Sequence, residues 1–453
     1  MSPFRPIDRK TPYLLPPSVE DWLPEDHLAR FIVEVVEGLD VSRLESTYRG
    51  RGSAAYHPAL LLSLLVYGYA TGVFSSRRIE RATYDSVAFR FIAAGSHPDH
   101  DTLAAFRRRF LDELADLFVQ VLELAKEMKL FKLGTISLDG TKVHANASRH
   151  SALSHGHIEK IETQLKAEVQ ELLALAEQAD RADVPDGVSL PDEIKRREDR
   201  LTALAQAKAK IEARAQERVE REQADYEAKM ARREAKAKES GKKPPGKPPQ
   251  PPVSGVQAAD QINLTDEESR IMPVSGGGFE QAYNAQAAVD SGSLLVVVPA
   301  VTQAPNDKEQ LVPMLAQLAA LPEALGEVDQ LLADTGFCSA RNVAACEAAG
   351  IEPLIAVARD EHHAGWRERF TEPAPLPEGA SAVHRMAHRL KTSRGRAAYA
   401  LRKQTVEPVF GIIKSVLGFR QFLLRGLVKV SGEWRLVCLA WNLKRMASLR
   451  LQT

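Results

Sequence analysis

Apolar residues in the first 130 positions recur at the three- and four-residue spacing of helices. Between Leu111 and Leu130, one helical face carries Leu111, Leu114, Leu117, Phe118, Val121 and Leu122. The most apolar run, Ala59 to Phe74, is interrupted by polar and glycine residues and is shorter than the ~20 residues that span a bilayer. The pattern predicts an all-helical N-terminal domain over residues 1–130, with this run as a buried helix and no membrane partner.

From Leu133 onward, short β-rich runs alternate with helical segments. The predicted strands are Thr135 to Leu138, Tyr283 to Val289, Leu294 to Val301, Val328 to Ala333 and Ile351 to Ala358. Asp290-Ser-Gly-Ser joins the second and third strands and is typical of a hairpin turn. Helices ending at Ala320 and Ala349 separate the later strands. This order predicts an α/β core with a mixed sheet, formed by residues 131–154 and 256–453.

The core is interrupted over residues 155–255. Two apolar seams, Ile158 to Leu175 and Ile194 to Ile211, flank a Pro/Gly-rich turn and predict a helical hairpin. The Lys/Pro-rich tract from 241 to 255 has few residues that can pack, which predicts a linker without fixed structure. Three roles for this insertion stay open: dimerisation, DNA contact, or an insertion that the core tolerates.

The distribution of charge is more informative than its total. Sixty Lys and Arg residues balance sixty Asp and Glu residues, yet residues 255–378 carry 19 acids against 6 bases. Residues 379–453 carry 15 bases against Glu407 and Glu433 alone. A basic segment of this kind is suited to a phosphate backbone, although a solvated surface is the alternative.

Cysteine usage and the N-terminal residues bear on the compartment. Three cysteines at positions 338, 346 and 438 match neither a disulfide framework nor a zinc site. The first residues lack the charged and then apolar layout of a signal peptide. We therefore expect a cytoplasmic protein.

Three carboxylates stand in distinctive surroundings: Ser-Leu-Asp139-Gly-Thr, Leu-Leu-Ala-Asp334-Thr-Gly-Phe and Thr-Val-Glu407-Pro-Val-Phe. Asp139 and Asp334 each follow a predicted buried strand, so each should leave the sheet at a strand end, where ligand sites form. Pro408 predicts that Glu407 begins a helix. Taken singly, these acids suit turns and caps, as Asp307 suits a helix cap. Taken together they predict a divalent-metal site, because clustered carboxylates need a cation.

Several motifs resemble bacterial insertion-sequence transposases of the DDE type. The motifs are Ile-Ser-Leu-Asp139-Gly-Thr, Tyr283-Asn-Ala-Gln286 with Asp290, Asn306-Asp307, the segment 334–342 and Val-Glu407-Pro-Val-Phe-Gly-Ile-Ile-Lys414. Upstream, His57-Pro-Ala-Leu-Leu-Leu and Asp101-Thr-Leu-Ala-Ala-Phe-Arg resemble the helical N-terminal domain of that family. Tyr399 and Arg402 lie one residue upstream of the family positions, which leaves Arg402 and Lys403 as alternatives for the basic position.

The resemblance implies an RNase H-like core and a helical N-terminal DNA-binding domain. Asp139, Asp334 and Glu407 would be catalytic and would hold two Mg²⁺ or Mn²⁺ ions. The implied partners are the double-stranded DNA of transposon ends and target, with a homodimer or higher oligomer assembled on DNA. The expected DNA contacts are Arg402, Lys403, Lys414 and Arg425. A nuclease without strand transfer and an inactive DNA-binding relative are the alternatives.

Overall fold

A computed structural model of the chain describes residues 18–48, 55–178, 189–240, 246–274, 276–357 and 371–452. Contacts divide the chain into two units, Met1–Asn146 with Met272–Thr453, and Ala147–Ile271. The first unit contains the N-terminal helices, a mixed sheet and the C-terminal helices. The predicted Pro/Gly turn after residue 178 and the start of the Lys/Pro-rich tract lie outside the described residues.

The N-terminal region is helical, as the apolar spacing predicts. Its helices are α1 Leu28–Gly38, α2 Ser42–Ser46, α3 Pro58–Ala70, α4 Ser76–Asp85, α5 Val87–Ile92, α6 His100–Arg109 and α7 Leu114–Glu127. Proline in the first turn starts α3, where its missing N–H costs no helical hydrogen bond, and most of this helix is buried. The expected buried helix is confirmed. Among the described residues, no helix has both the length and the apolar character needed to cross a bilayer.

The second unit contains α8 His155–Gln178, α9 Leu190–Ser240 and two short antiparallel strands, β2 Ala152–Ser154 and β3 Gln261–Asn263. Helices α8 and α9 pack against each other. Their shared core consists of Ile158, Leu165, Leu204, Ala207, Ile211 and Ile262. Strands β2 and β3 pair with each other and lie before and after the two helices in the chain. The unit therefore begins earlier and ends later than the predicted insertion over residues 155–255.

The sheet of the first unit combines parallel and antiparallel strands. Its strands are β1 Thr135–His144, β4 Arg270–Pro273, β5 Phe279–Asp290, β6 Val296–Thr302, β7 Gln330–Ala333 and β8 Glu352–Ile355. The order is β4-β5-β1-β7-β8, and β6 also pairs with β5. Strand β5 is antiparallel to β1 and β6, whereas β1, β7 and β8 are parallel. The predicted hairpin between β5 and β6 is confirmed, with Ser293 N and Oγ donating to Asp290 Oδ2.

The register of β1 and β7 places Asp139 beside Asp334. Parallel pairing ends at Leu138 opposite Ala333. Asp139 is the next residue of β1, and Asp334 is the first residue after β7. Asp334 therefore follows a strand end, as predicted. The prediction that Asp139 also leaves the sheet was wrong: β1 continues to His144, because β5 pairs with it along its whole length.

The remaining helices flank the sheet and carry the basic C-terminal segment. They are α10 Leu311–Ala319, α11 Ala340–Ala348, α12 Ala382–Lys391, α13 Ser393–Ala400, α14 Arg402–Gly411 and α15 Leu427–Arg450, with a π-helical turn Ile412–Val416 after α14. Trp434 and Trp441, seven residues apart, are buried and belong to the packing face of α15. Their indole N–H groups donate to Gln286 O and Leu294 O.

A buried polar cluster joins α15 to the N-terminal helices. Tyr69 OH donates to Glu433 Oε1 at 2.8 Å and accepts from Arg107 Nη1 at 2.9 Å. The backbone N–H groups of Leu423 and Leu424 donate to Glu433 Oε2. Glu433 is fully buried, and burial raises the pKa of its carboxyl group, while Arg107 lowers it. Such a carboxylate is tolerated only because each of its oxygens has a partner.

We expect Tyr69→Phe to lower the free energy of unfolding by about 1–3 kcal/mol, because it removes a hydroxyl that satisfies two buried charged groups. Tyr84→Phe is the matched control, since Tyr84 is 57% exposed and should change stability by no more than about 0.5 kcal/mol. Urea denaturation of both variants measures the difference. Equal stability of the two variants would contradict a stabilising role for the cluster.

Candidate active site

Three predicted acids meet at one guanidinium. Arg402 Nη2 lies 2.9 Å from Asp139 Oδ2 and 3.9 Å from Asp334 Oδ2. Arg402 Nη1 lies 3.0 Å from Glu407 Oε1. The structure therefore brings together side chains from β1, from the loop after β7 and from α14.

Local hydrogen bonds orient the two aspartates. Gly140 N donates to Asp139 Oδ1, and Gly336 N donates to Asp334 Oδ1, both at 2.8 Å. In each residue, the other oxygen, Oδ2, is the one nearest to Arg402. Backbone geometry thus fixes one oxygen of each carboxylate and presents the second to the cluster.

Glu407 lies in the middle of α14 rather than at a helix start. Pro408 is inside the helix, so the prediction from the Glu-Pro pair was wrong. The helix buries Thr405, Val406, Val409 and Phe410, and it packs against β1 and β5. This burial outweighs the loss of one backbone hydrogen bond at a helical proline. Glu407 stays half exposed, with 50% of its side chain accessible.

The position of Arg402 distinguishes it from Lys403. Only 11% of the Arg402 side chain is exposed, and its guanidinium faces the acids. Lys403 is exposed. Of the two alternatives for the basic position, Arg402 is the residue that joins the acid cluster.

One guanidinium compensates only part of the negative charge. Desolvation raises the pKa of Asp139 to about 6, the charge of Arg402 opposes the rise, and the charges of Asp334 and Asp307 add to it. Burial lowers the pKa of Lys142, and the three aspartates act in the opposite direction. The cluster is therefore a partly buried region with an excess of carboxylates over cations.

Asp307 lies against this cluster and caps no helix. Helix α10 begins at Leu311, and its N-terminus has no side-chain cap. Asp307 Oδ1 instead accepts from Asn284 Nδ2 at 2.6 Å and from Gln286 Nε2 at 2.5 Å. The expectation of a cap was wrong because two buried amides on β5 compete for this carboxylate.

Gly140 leaves room for that contact. A methyl group on its Cα would lie 2.5 Å from Asp307 Oδ1 and 2.8 Å from Asn284 Oδ1, and closer still to Gln286 Nε2. Gly140 lies within β1 and not in the Asp-Gly turn that the sequence also allows. Its role is to let other polar groups approach the strand.

The other expected DNA contacts lie apart from the acids. Lys414 Nζ donates to Thr141 Oγ1 at 3.0 Å and to Lys142 O at 2.9 Å, so it is neither fully solvated nor directed away from the sheet. Burial lowers the pKa of Lys414. Arg425 Nε donates to Asn146 O, and its side chain remains exposed.

The donor chemistry of the cluster fits a divalent cation. Carboxylate oxygens are the ligands that Mg²⁺ and Mn²⁺ prefer, and Asp139, Asp334 and Glu407 supply them. In the described part of the chain, no group of three or more His, Cys, Asp or Glu side chains is placed to hold a metal ion, and the Arg402 guanidinium contacts the three acids. Binding a cation requires Arg402 to give up part of its contacts.

Sequence reasoning missed Asn284 and Gln286 as parts of the site. Their signal is two amides at alternate positions of the predicted strand Tyr283 to Val289, where they share one face. Both are buried, at 0% and 1% exposure, so they need polar partners. They therefore need an acceptor for their N–H groups, and in the structure this acceptor is Asp307 Oδ1.

Family models match two parts of the chain. The model described as Transposase domain (DUF772) matches residues 17–109, and the model described as Transposase DDE domain matches residues 375–447. Both family models describe transposases, which supports an insertion-sequence transposase of the DDE type. The second match includes Arg402, Glu407 and Lys414, whereas Asp139 and Asp334 lie outside both matches. No curated protein and no solved structure matches the chain.

We expect Gly140→Ala to destabilise the transposase by about 1–3 kcal/mol, because its methyl group displaces Asp307 and the two amides. Gly411→Ala is the matched control. Among the described residues, no atom lies within 4 Å of its added methyl group, and alanine favours the helix by up to ~1 kcal/mol. Denaturant unfolding compares them, and a loss of stability in Gly411→Ala alone would contradict the packing argument.

Proposed function

We propose that this transposase binds terminal inverted repeats, cleaves DNA at the transposon ends to free 3′-OH groups, and joins those ends to target DNA. The observation that carries the proposal is the meeting of Asp139, Asp334 and Glu407 at one guanidinium. These acids come from distant parts of the chain. Their convergence is what a metal-dependent phosphoryl-transfer site requires.

The sheet supports an RNase H-like catalytic core. Its central order is β6-β5-β1-β7-β8, in which β5 alone runs against its neighbours β1 and β6. Helices α10 and α11 follow β6 and β7 in the chain, as expected for that architecture. We infer that residues 131–154 and 256–453 form this core, that residues 1–130 bind DNA, and that residues 155–255 are an insertion.

In this proposal, Asp139, Asp334 and Glu407 hold Mg²⁺ or Mn²⁺. Two such ions supply activation of water or a 3′-hydroxyl and stabilisation of the leaving oxygen. Gly140 N and Gly336 N fix the orientation of the aspartates. Glu407, on a separate helix and half exposed, is the acid most free to adjust.

Arg402 has two successive roles in this scheme. Without metal, it compensates three carboxylates that would otherwise repel one another. When a cation takes over that compensation, the guanidinium is free to contact a DNA phosphate at the same site. Lys403, Lys414 and Arg425 are proposed as further phosphate contacts, since their side chains lie on the basic C-terminal segment.

We expect Asp139→Asn, Asp334→Asn and Glu407→Gln each to abolish DNA cleavage while leaving end binding in place, because each keeps its shape and loses a ligand charge. The substrate is DNA carrying the sequences that flank the reading frame. Cleavage and gel-shift assays report the two activities, with Glu323→Gln, an exposed acid, as control.

Retained cleavage in one of these variants at saturating Mg²⁺ removes that residue from the site. Pre-cut ends test the second half of the proposal. Wild-type protein that cleaves DNA but forms no strand-transfer product from pre-cut ends would be a nuclease.

We expect Arg402→Gln to lower the melting temperature without metal and to increase the stabilisation that Mg²⁺ produces. Removing the guanidinium leaves the carboxylates uncompensated, at a cost of about 1–3 kcal/mol, and removes a competitor of the cation. Lys403→Gln removes an adjacent exposed charge and is the matched control. An equal response to Mg²⁺ in Arg402→Gln and wild type would show that Arg402 and metal do not compete.

A further inference from the structure

Asp307 carries a carboxylate whose two oxygens have different surroundings. Oδ1 accepts from Asn284 Nδ2 at 2.6 Å and from Gln286 Nε2 at 2.5 Å. Oδ2 lies on the side of Gly336, the residue that donates its N–H to Asp334. A methyl group on Gly336 would lie 2.9 Å from Asp334 Oδ1 and 3.8 Å from Asp307 Oδ2, so both oxygens line the same space.

The amides that hold Asp307 are themselves built into the core. Asn284 and Gln286 are 0% and 1% exposed, and Asn284 Nδ2 also donates to Ala304 O. Among the described residues, Asn284 Oδ1 and Gln286 Oε1 have no hydrogen-bond partner. Asn284 Oδ1 faces Gly140, the neighbour of Asp139. Buried amide oxygens without a partner are costly, so their presence here indicates a polar ligand next to the aspartates.

We infer that Asp307 is a fourth carboxylate of the metal site, with Asn284 and Gln286 as positioning residues that direct its Oδ2 toward Asp139 and Asp334. This inference rests on the proposed function, because it needs a cation at the acids. The two amides hold Oδ1, and Oδ2 remains available as a ligand. The ligand belongs to the class of hard divalent cations, Mg²⁺ or Mn²⁺.

The location of Asp307 separates it from the guanidinium. Arg402 contacts Asp139, Asp334 and Glu407, and its ion pairs do not include Asp307. Arg402 therefore compensates the other three acids, whereas the partners of Asp307 Oδ1 are the two amides of β5. In this inference, Asp307 would join Asp139 and Asp334 as a ligand of the cation.

Direct measurement of Mn²⁺ binding tests this assignment without DNA. In Asp307→Asn, the amide oxygen can still accept from Asn284 and Gln286, so the fold is retained while the negative charge is lost. We expect at least about tenfold weaker Mn²⁺ binding, or one fewer bound ion, by electron paramagnetic resonance of free Mn²⁺. Glu309→Gln, an exposed acid of the same loop, should bind as wild type does.

Asp139→Asn distinguishes failure of the inference from failure of the proposed function. If Asp139→Asn binds Mn²⁺ as wild type does, the proposed metal site is wrong. If Asp139→Asn loses binding and Asp307→Asn does not, Asp307 is only an acceptor for two amides and this inference is overturned.

Asp307→Cys gives a readout that a purely structural role would not produce. A thiolate ligand disfavours Mn²⁺ and favours the softer Cd²⁺. We expect this variant to lose Mn²⁺ affinity and to keep Cd²⁺ affinity, relative to Glu309→Cys, which adds a thiol in the same loop. If this variant loses affinity for both metals, or for neither, direct ligation of the metal by the side chain at position 307 is contradicted. Asn284→Ala, which keeps the charge and removes one donor, should weaken Mn²⁺ binding less than Asp307→Asn.

Discussion

The packing of the first unit depends on α15, because this helix contacts both the N-terminal helices and the sheet. Its packing face carries polar groups as well as apolar ones. Glu433 reaches the N-terminal helices, Trp434 donates to Gln286 O, and Asn442 pairs with both backbone groups of Val296. Such groups have no alternative partners once water is excluded, so they fix the helix in one register against the sheet. Helix α15 therefore contacts both the N-terminal helices and the sheet.

The acid cluster is stable because its repulsion is shared among several kinds of partner. Backbone N–H groups hold one oxygen of Asp139 and of Asp334, amides hold one oxygen of Asp307, and Arg402 faces the remaining charge. Each of these partners donates to a carboxylate oxygen, so part of the negative charge of the cluster is compensated. Under the proposed function, a cation would replace Arg402 as the counterion while the backbone contacts of the aspartates stay in place.

The strands of the core and the hairpin after Asp290 follow from β-rich runs and turn residues, which are local signals. The placements of Glu407 and Asp307 do not. A proline suggested a helix start that burial of the surrounding residues overrides, and a cap assignment for Asp307 failed because its partners lie on a distant strand. The role of Arg402 depends on three segments at once, which no local spacing encodes.

The chain order of the site has a consequence during synthesis. Asp139 is made early, yet its neighbours on both sides, β5 and β7, follow the second unit, and Glu407 follows both. At about 5–20 residues per second, roughly 15–50 s separate the translation of Asp139 from that of Glu407. Until β5 and β7 are made, the central strand β1 lacks its partners, and until Glu407 is made, the three acids cannot meet. Incomplete chains therefore lack the assembled site, so under the proposed function a ribosome-bound or prematurely ended product cannot cut DNA.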